Sequence, residues 1–176
     1  MTASIRDTAY QLRQGKLIAL ADETGWSVAA DPTNEAAVAQ LLTLREFLSP
    51  YQLVTVLIKD ANQLVMYVAK LPDVAYDLVE FAENPLTVVY DQGKNVVATL
   101  LDGDPTLAVR RALADDVQRL IGSFGRALLV LPLESLKLPA AVDVLVAERF
   151  GTLPGMPKWG RIMRLGTDGD VSFIRK

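Results

Sequence analysis

The residues of this chain best suited to bind a charged ligand are two carboxylates, one hydroxyl and three arginines. An arginine guanidinium is planar and permanently charged, so it favours phosphate and carboxylate groups. The acidic and hydroxyl residues lie together in one polar turn between two short apolar runs. Residues of these types could together bind a small anionic ligand. The candidate ligand-binding residues are Asp22, Glu23, Thr24, Arg45, Arg110 and Arg161.

Several other kinds of chemistry are absent from the sequence. The chain has no cysteine and no histidine, which excludes disulfides, thiolate nucleophiles, Ser-His pairs and imidazole metal sites. Segments 102–104 and 168–170 both read Asp-Gly-Asp, and each is open to interpretation as a turn or as part of a calcium loop. Neither has the twelve-residue ligand pattern of a calcium loop, which favours turns. We therefore predict no catalytic residue of these classes and no metal ligand.

One helix is expected to position Arg45. Apolar residues recur at helical spacing over 35–48, after a possible N-cap at Thr33 or Asn34. Pro50 pushes the residue before it out of helical conformation and should end this helix. Arg45 is therefore predicted on its last turn. There it would bind either the ligand or a nearby carboxylate in an ordinary ion pair.

The remaining periodicity predicts strands alternating with helices, and also hairpins, so we expect an α/β (α+β) fold with a mixed sheet. The pattern predicts one domain over 1–176. Predicted helices cover 5–14, 35–48, 61–68, 72–83, 114–124 and 140–150. Predicted strands cover 16–20, 26–30, 53–58, 86–90, 96–101, 107–110, 127–131, 161–165 and 171–174.

Composition limits the location and the partners that we expect. No apolar run approaches the roughly 18–20 residues that span a bilayer, and MTASIRDTAY lacks the apolar region of a signal peptide. We therefore expect a cytoplasmic protein without a membrane partner. A net charge of −3 argues against a free-standing nucleic-acid binder, although the C-terminal part is richer in cations. We expect Trp26 to be buried, and Trp159 is equally open to packing or stacking.

Four segments, taken in order, resemble one known family. The stretch 20–47 runs strand, Asp-Glu-Thr-Gly turn, strand, Asp-Pro and helix. It is followed by Asn-Pro-Leu-Thr-Val-Val at 84–89, Leu-Ala-Val-Arg at 107–110, and Gly-Arg-Ile-Met-Arg-Leu at 160–165 with its closing hairpin. This set resembles the YrdC-type domain, the threonylcarbamoyl-adenylate synthase family of tRNA modification. The match covers nearly the whole chain.

The resemblance implies a strongly twisted mixed sheet flanked by helices, with a large open cavity on one face. It also implies nucleotidyl transfer with ATP, and Mg²⁺ if the enzyme is active. An older interpretation of the family's cavity is double-stranded RNA binding in translation, so RNA is a possible partner. By position, Glu23, Thr24 and Arg110 match the family pattern. The resemblance therefore implies that the six candidate residues belong to one site for a small anionic ligand or a nucleotide.

The departures from the family pattern concern its polar and cationic positions. The opening Pro-Thr is Ala-Asp at 21–22, and Lys-x-Arg is Arg-Glu-Phe at 45–47. Ser-x-Asn is Pro-Leu-Glu at 132–134, and Ser-Thr is Gly-Arg at 160–161. A hydrogen bond to a charged group contributes about 1.5–3 kcal/mol, so losing three or four would weaken ATP binding by several orders of magnitude.

Three hypotheses follow from the sequence. The first is a divergent family protein with impaired or altered catalysis that binds a small ligand or a partner. The second is an active synthase in which Arg45 replaces the family lysine and Arg161 replaces a hydroxyl contact. The third is an RNA-binding or translation-associated module. The oligomeric state is not predicted by the sequence.

Overall fold

Nine strands form one mixed sheet in the computed structural model, which describes residues 3–176. The strand order is β7-β1-β2-β6-β3-β5-β4-β8-β9, in which β1/β7, β3/β5 and β4/β8 are parallel and the other neighbours antiparallel. The predicted mixed sheet flanked by helices is confirmed. The strands are β1 (Leu17–Asp22), β2 (Gly25–Ala30), β3 (Thr55–Ile58), β4 (Leu86–Tyr90), β5 (Leu107–Arg111), β6 (Leu128–Pro132), β7 (Val146–Gly151), β8 (Arg161–Leu165) and β9 (Val171–Arg175).

Short polar side chains begin several of the helices, and one of them is Asn34, a predicted cap. Asn34 accepts from the Ala37 N–H, and Asp60 accepts from the Gln63 N–H, so both cap a first turn. Gly125 ends another helix in the left-handed conformation, with φ 89°. The helices are α1 (Ile5–Arg13), α2 (Glu35–Leu42), α3 (Ala61–Tyr67), α4 (Val74–Glu80), α5 (Asp115–Phe124) and α6 (Ala140–Asp143).

The two faces of the sheet are covered differently. Helices α2, α3 and α4 pack on one face, where the main apolar core lies. Helices α1 and α5 pack on the other, against a second core that includes Leu57 of β3. Arg110 of β5 is in register with Leu57 and with Thr87 of β4, so it shares the face of α1 and α5. We call this second face the site face.

The helix predicted over 35–48 is shorter in the structure. Helix α2 ends at Leu42, and Arg45–Phe47 forms a separate 3₁₀ turn. The Thr43 N–H donates to the Gln40 carbonyl, and the Leu44 N–H donates to the Leu41 carbonyl, so i→i+3 bonds replace the α-helical ones. The prediction that Arg45 lies on the last turn of this helix is wrong.

The strand predicted over 96–101 is also wrong. Ala98–Leu101 is a 3₁₀ turn, and the N–H of the buried Val97 donates to the Pro32 carbonyl at 2.9 Å. A hairpin with β4 is prevented because β5 and β8 already occupy the two edges of β4. The apolar residues of this segment pack on the core without joining the sheet.

The helix predicted over 140–150 corresponds to two elements. Helix α6 has only four residues, and β7 follows it and pairs in parallel with β1. Because β1 is buried along its whole length, its second edge needs a hydrogen-bonding partner. Satisfying that edge outweighs the helical spacing of the apolar residues.

The predictions made for the first ten residues fall partly outside the described part of the chain, because that part begins at Ala3. Within residues 3–176, no helix combines the length and the apolar character needed to cross a bilayer.

Gly151 is expected to be essential for the pairing of β7 with β1. It has φ 96°, and an added Cβ would collide with the Ala21 carbonyl oxygen. Gly151→Ala should lower the free energy of unfolding by about 1–3 kcal/mol, measured by urea denaturation. Gly155→Ala is the control, because a Cβ at Gly155 meets nothing within 4 Å. Equal stability of the two variants would contradict this role.

Candidate functional site

A buried ion pair between Arg110 and Asp22 is the centre of the site face. Arg110 Nη2 lies 2.8 Å from Asp22 Oδ2, and both side chains are almost fully buried. Arg110 Nη1 lies 3.3 Å from Glu23 Oε1. Burial alone would lower the pKa of Arg110, but the charges of Asp22 and Glu23 outweigh it and the pKa is raised. Arg110 therefore stays charged and is held by two carboxylates.

The polar turn is built around the second oxygen of Asp22. Asp22 Oδ1 accepts hydrogen bonds from the Thr24 N–H at 2.8 Å and the Thr24 hydroxyl at 2.6 Å. Gly25 completes the turn with φ 102°, and a Cβ there would lie 2.7 Å from the Ser135 carbonyl oxygen. Both oxygens of Asp22 are thus engaged within the protein. Asp22, Glu23, Thr24 and Arg110 are brought together as the sequence predicts.

A second ion pair lies close to the first. Arg175 of β9 makes a bidentate pair with Glu134, with Nη1–Oε1 at 2.6 Å and Nη2–Oε2 at 2.8 Å. Arg175 also donates to the carbonyls of Gly160 and Pro50. The charge of Glu134 contributes to the raised pKa of Arg110, so the two pairs are close enough to interact.

Both ion pairs require the sheet to curl over the site face. Strand β5 is four steps from β1 in the sheet, and neighbouring strands lie about 4.8 Å apart, so a flat sheet would separate them by about 19 Å. Arg110 nevertheless contacts Asp22 directly. Strand β9 is likewise five steps from β6, which ends just before Glu134. The strong twist that the resemblance implies is present here.

Glu23 is the least well satisfied carboxylate of the site. Its Oε2 atom is buried and has no hydrogen-bond partner among the described residues. Burial raises the pKa of Glu23, and the neighbouring Asp22 charge raises it further, while Arg110 and Lys158 oppose this. Protonation of Glu23 is thus favoured more in the folded protein than in an ordinary glutamate.

Two buried serine hydroxyls near this cluster also lack partners among residues 3–176. Ser27 is 1% exposed and Ser49 is 6% exposed. Ser27 is in register with Pro132, and the Ser49 N–H donates to the Pro132 carbonyl, so the two serines are neighbours of one residue. Buried hydroxyls normally find a partner. These two are available to a polar ligand or to water.

Arg45 and Arg161 make no ion pair within the described chain, and both are exposed. Arg45 lies in a groove of about 480 Å³ beside Asp102 and Asp104. Arg161 lies in another groove, of about 560 Å³. Each therefore lines a surface groove, and among residues 3–176 neither side chain makes an ion pair with Asp22 or Glu23.

Glu134 and Arg175 are the site residues that the sequence did not identify as binding groups. Glu134 stood out in the sequence only as an acid at a neutral family position. Its φ of 53° marks a constrained backbone. Arg175 is the penultimate residue, 41 positions from Glu134, and no local pattern links the two.

The structure distinguishes the roles of the two tryptophans. Trp26 is buried as predicted, and it packs with Ala19 and Ala21 away from the Arg110 cluster. Trp159 is 57% exposed, and the guanidinium of Arg175 lies 5.0 Å from its ring centre. A stacking surface therefore remains at Trp159 and not at Trp26.

The two Asp-Gly-Asp segments are turns. Asp104 Oδ1 accepts from the Thr106 N–H at 3.0 Å, and Asp168 Oδ1 accepts from the Asp170 N–H at 3.0 Å. Among the described residues, no group of three or more carboxylates is arranged to hold a metal ion.

Comparison with known proteins decides the family. The model of the Sua5/YciO/YrdC family, described as telomere recombination, matches residues 10–142. This chain belongs to the Sua5/YciO/YrdC family. A threonylcarbamoyl-AMP synthase of Halorhodospira halophila is 32% identical over 151 residues, covering 84% of this chain and 78% of its own length. Another, from Pseudoalteromonas translucida, is 34% identical over 121 residues, covering 66% of this chain and 64% of its own length.

Solved structures of the family have the same fold. E. coli YciO superposes with a TM-score of 0.78 at 19% identity, covering 98% of this chain and 88% of YciO. P. abyssi Sua5 complexed with L-threonine superposes with a TM-score of 0.70 at 23% identity, covering 92% of this chain and 50% of Sua5. The YrdC-like architecture predicted for this family member is confirmed.

Removing one partner of the buried ion pair should be costly. Arg110→Met leaves Asp22 buried without a counter-charge, and we expect a loss of about 3–5 kcal/mol in the free energy of unfolding. The control is Arg119→Met, which breaks an exposed pair with Asp115 and should cost less than about 1 kcal/mol. Urea denaturation measures both. Similar losses in the two variants would show that the Arg110 pair is not a structural anchor.

The raised pKa of Glu23 predicts a pH dependence of stability. Folded protein holds the Glu23 proton to higher pH than unfolded protein, so this group makes stability fall as pH rises from its ordinary pKa to the raised one. Glu23→Gln lacks this contribution. Its stability relative to wild type should therefore increase as pH rises from the ordinary pKa of glutamate to the raised pKa of Glu23, measured by urea denaturation at each pH.

Asp91 provides a comparison of opposite sign. Its side-chain hydrogen bond with Arg164 and the Thr167 N–H lower the pKa of Asp91. The contribution of Asp91 is present above its ordinary pKa and is lost as pH falls. Asp91→Asn should therefore become less stable relative to wild type as pH rises. Equal slopes for the two variants would refute the shift assigned to Glu23.

Proposed function

We propose that this chain is a divergent Sua5/YciO/YrdC family protein whose threonylcarbamoyl-AMP synthesis is impaired or altered, and whose site face binds a small ligand other than ATP. The observation that carries the proposal is the state of Arg110. Its guanidinium is buried and engaged by Asp22 and Glu23. The arginine that matches the family pattern is thus already neutralised within the protein.

The charge of the site supports this proposal. Two of its acids, Asp22 and Glu134, stand at positions where the family pattern has a neutral threonine and a neutral asparagine. Together with Glu23 they place three carboxylates near two guanidinium groups. A triphosphate would bring several further negative charges to this site, and nucleotidyl chemistry depends on neutralising such charge. The residues present do not fit a bound triphosphate.

An active synthase is the second candidate function. The relatives named threonylcarbamoyl-AMP synthase that share about a third of their residues with this chain favour it. The unpaired hydroxyls of Ser27 and Ser49 would be its remaining polar contacts. In this case Arg45, Arg161 or Lys158 would have to neutralise the phosphates, and the Asp22 pair would have to open.

Pyrophosphate release from ATP, with threonine and bicarbonate present, distinguishes the two candidates. Two missing charge-assisted contacts correspond to about 3–6 kcal/mol, or about 10²–10⁴ in rate. We therefore expect turnover at least about 100-fold below that of the Halorhodospira halophila synthase measured alongside. Comparable turnover would establish the active synthase instead.

A variant restoring the family residues tests the cause. Asp22→Thr with Glu134→Asn removes two carboxylates, so its affinity for pyrophosphate should rise at least about tenfold in calorimetry. Asp115→Asn with Asp143→Asn removes the same charge from exposed positions and is the control. Circular dichroism verifies that the variant is folded. No gain in the folded variant, or an equal gain in the control, would show that these carboxylates do not exclude anions.

A thermal-shift panel identifies which ligand class binds the folded wild-type protein. The panel contains ATP, AMP, threonine and double-stranded RNA. The RNA is included because the groove beside Trp159 also contains Lys158, Arg161 and Lys176. A shift with RNA that fades as salt increases would favour the RNA-binding alternative.

A further inference from the structure

Strand β9 ends the sheet with an open edge. At the other end of the sheet, the Ala3 N–H donates to the Arg149 carbonyl of β7 at 3.0 Å, which covers part of that edge. No backbone hydrogen bond joins the outer edge of β9 to another segment of residues 3–176. An open strand edge presents N–H and C=O groups that pair readily with another strand.

The register of the β8–β9 hairpin identifies the outward groups. The hairpin closes with Gly169 at φ 91°, and the Gly166 N–H donates to the Asp170 carbonyl at 2.9 Å. Hydrogen-bonded and non-hydrogen-bonded pairs alternate along an antiparallel ladder. The backbone groups of Ser172 therefore face β8, whereas those of Val171 and Phe173 face outward.

The side chains of the same two residues form an apolar patch. Val171 is 49% exposed and Phe173 is 47% exposed. They are in register with Leu165 and Met163 of β8, which belong to the main core. The patch therefore continues the core face of the sheet to its unpaired edge.

We propose that β9 pairs with β9 of a second copy of this chain, in antiparallel orientation, about a two-fold axis at Ser172. This register sets Val171 of each copy opposite Phe173 of the other and uses the outward backbone groups of both residues. It forms two aromatic/β-branched cross-strand pairs on the core face, a favourable combination. A two-fold interface of this kind is self-complementary and closed.

Charge supports the same antiparallel orientation. Asp168 and Asp170 precede the N-terminal end of β9, whereas Lys176 follows its C-terminal end. An antiparallel pair brings the N-terminal end of one copy beside the C-terminal end of the other. Acidic residues at one end of β9 therefore meet basic residues at the other end, which a parallel arrangement would set against like charges.

Strand β9 is also held in position before any association. Arg175 anchors its C-terminal end through the bidentate pair with Glu134 and the Gly160 carbonyl. At its other end, the Asp91 carboxylate accepts from the Thr167 N–H at 3.0 Å. A strand fixed at both ends loses little conformational freedom on pairing, which favours association.

Cysteine cross-linking tests the register directly, because the natural chain has no cysteine. A two-fold axis at Ser172 makes Ser172 and its copy a non-hydrogen-bonded pair, with Cα atoms about 4.5 Å apart, within disulfide range. Ser172→Cys should form a covalent dimer under mild oxidation. Val144→Cys, at a 78% exposed position beside β7, should not. Equal cross-linking of the two variants overturns the proposal.

Light scattering after gel filtration tests association without cross-linking. Wild-type protein should show a mass approaching twice 19.2 kDa as concentration rises. Phe173→Lys should raise the dissociation constant at least about tenfold, and Val144→Lys should leave it unchanged. Circular dichroism verifies that each variant is folded. A wild-type mass that stays at 19.2 kDa at all concentrations overturns the proposal.

Discussion

The curled shape of the sheet depends on charges that meet across it. A guanidinium on β5 can reach a carboxylate at the end of β1 only if the three intervening strands curve. Arg110 is almost completely buried, and an unpaired buried charge would be very unfavourable. The ion pair with Asp22 therefore makes the burial of Arg110 possible, and this ion pair forms only when the sheet is curved. The ion pair of Arg175 with Glu134 likewise requires the other end of the sheet to curve.

The same charges link stability to ligand binding. An anion that binds Arg110 would have to displace Asp22 or Glu23, because both carboxylates already occupy the guanidinium. Displacement would leave a buried carboxylate without its partner and would break the ion pair that joins the distant strands β1 and β5. An anion would therefore bind strongly only if its own contacts exceeded this loss. A neutral or cationic group that approaches Glu23 and the serine hydroxyls meets no such penalty.

Local features of the sequence predicted much of the fold. The strand over 86–90 and the N-cap at Asn34 follow from short-range chemistry, and both occur as predicted. The errors arise where the tertiary structure decides. Residues 146–151 have helical spacing but form a strand because β1 needs a second neighbour. Residues 96–101 have strand composition, but β4 has no free edge.

The same distinction between local and tertiary features applies to the residues around Arg110. Asp22, Glu23 and Thr24 are adjacent in sequence, and Arg110 lies on a strand that the family pattern identifies. Arg175 was not predictable, because its partner follows β6 and the contact exists only once the sheet has curled.

Strand β9, at the end of the sheet, has two functions in the structure. Through its side chain, Arg175 ties β9 to Glu134 on the site face, while the outer backbone edge of β9 stays open. Any contact that orders β9 therefore also orders the Arg175–Glu134 ion pair beside Arg110, because both involve one five-residue strand. Conversely, a ligand that released Arg175 from Glu134 would loosen the edge on which pairing depends. Association and ligand binding would then be coupled reciprocally, as linkage requires.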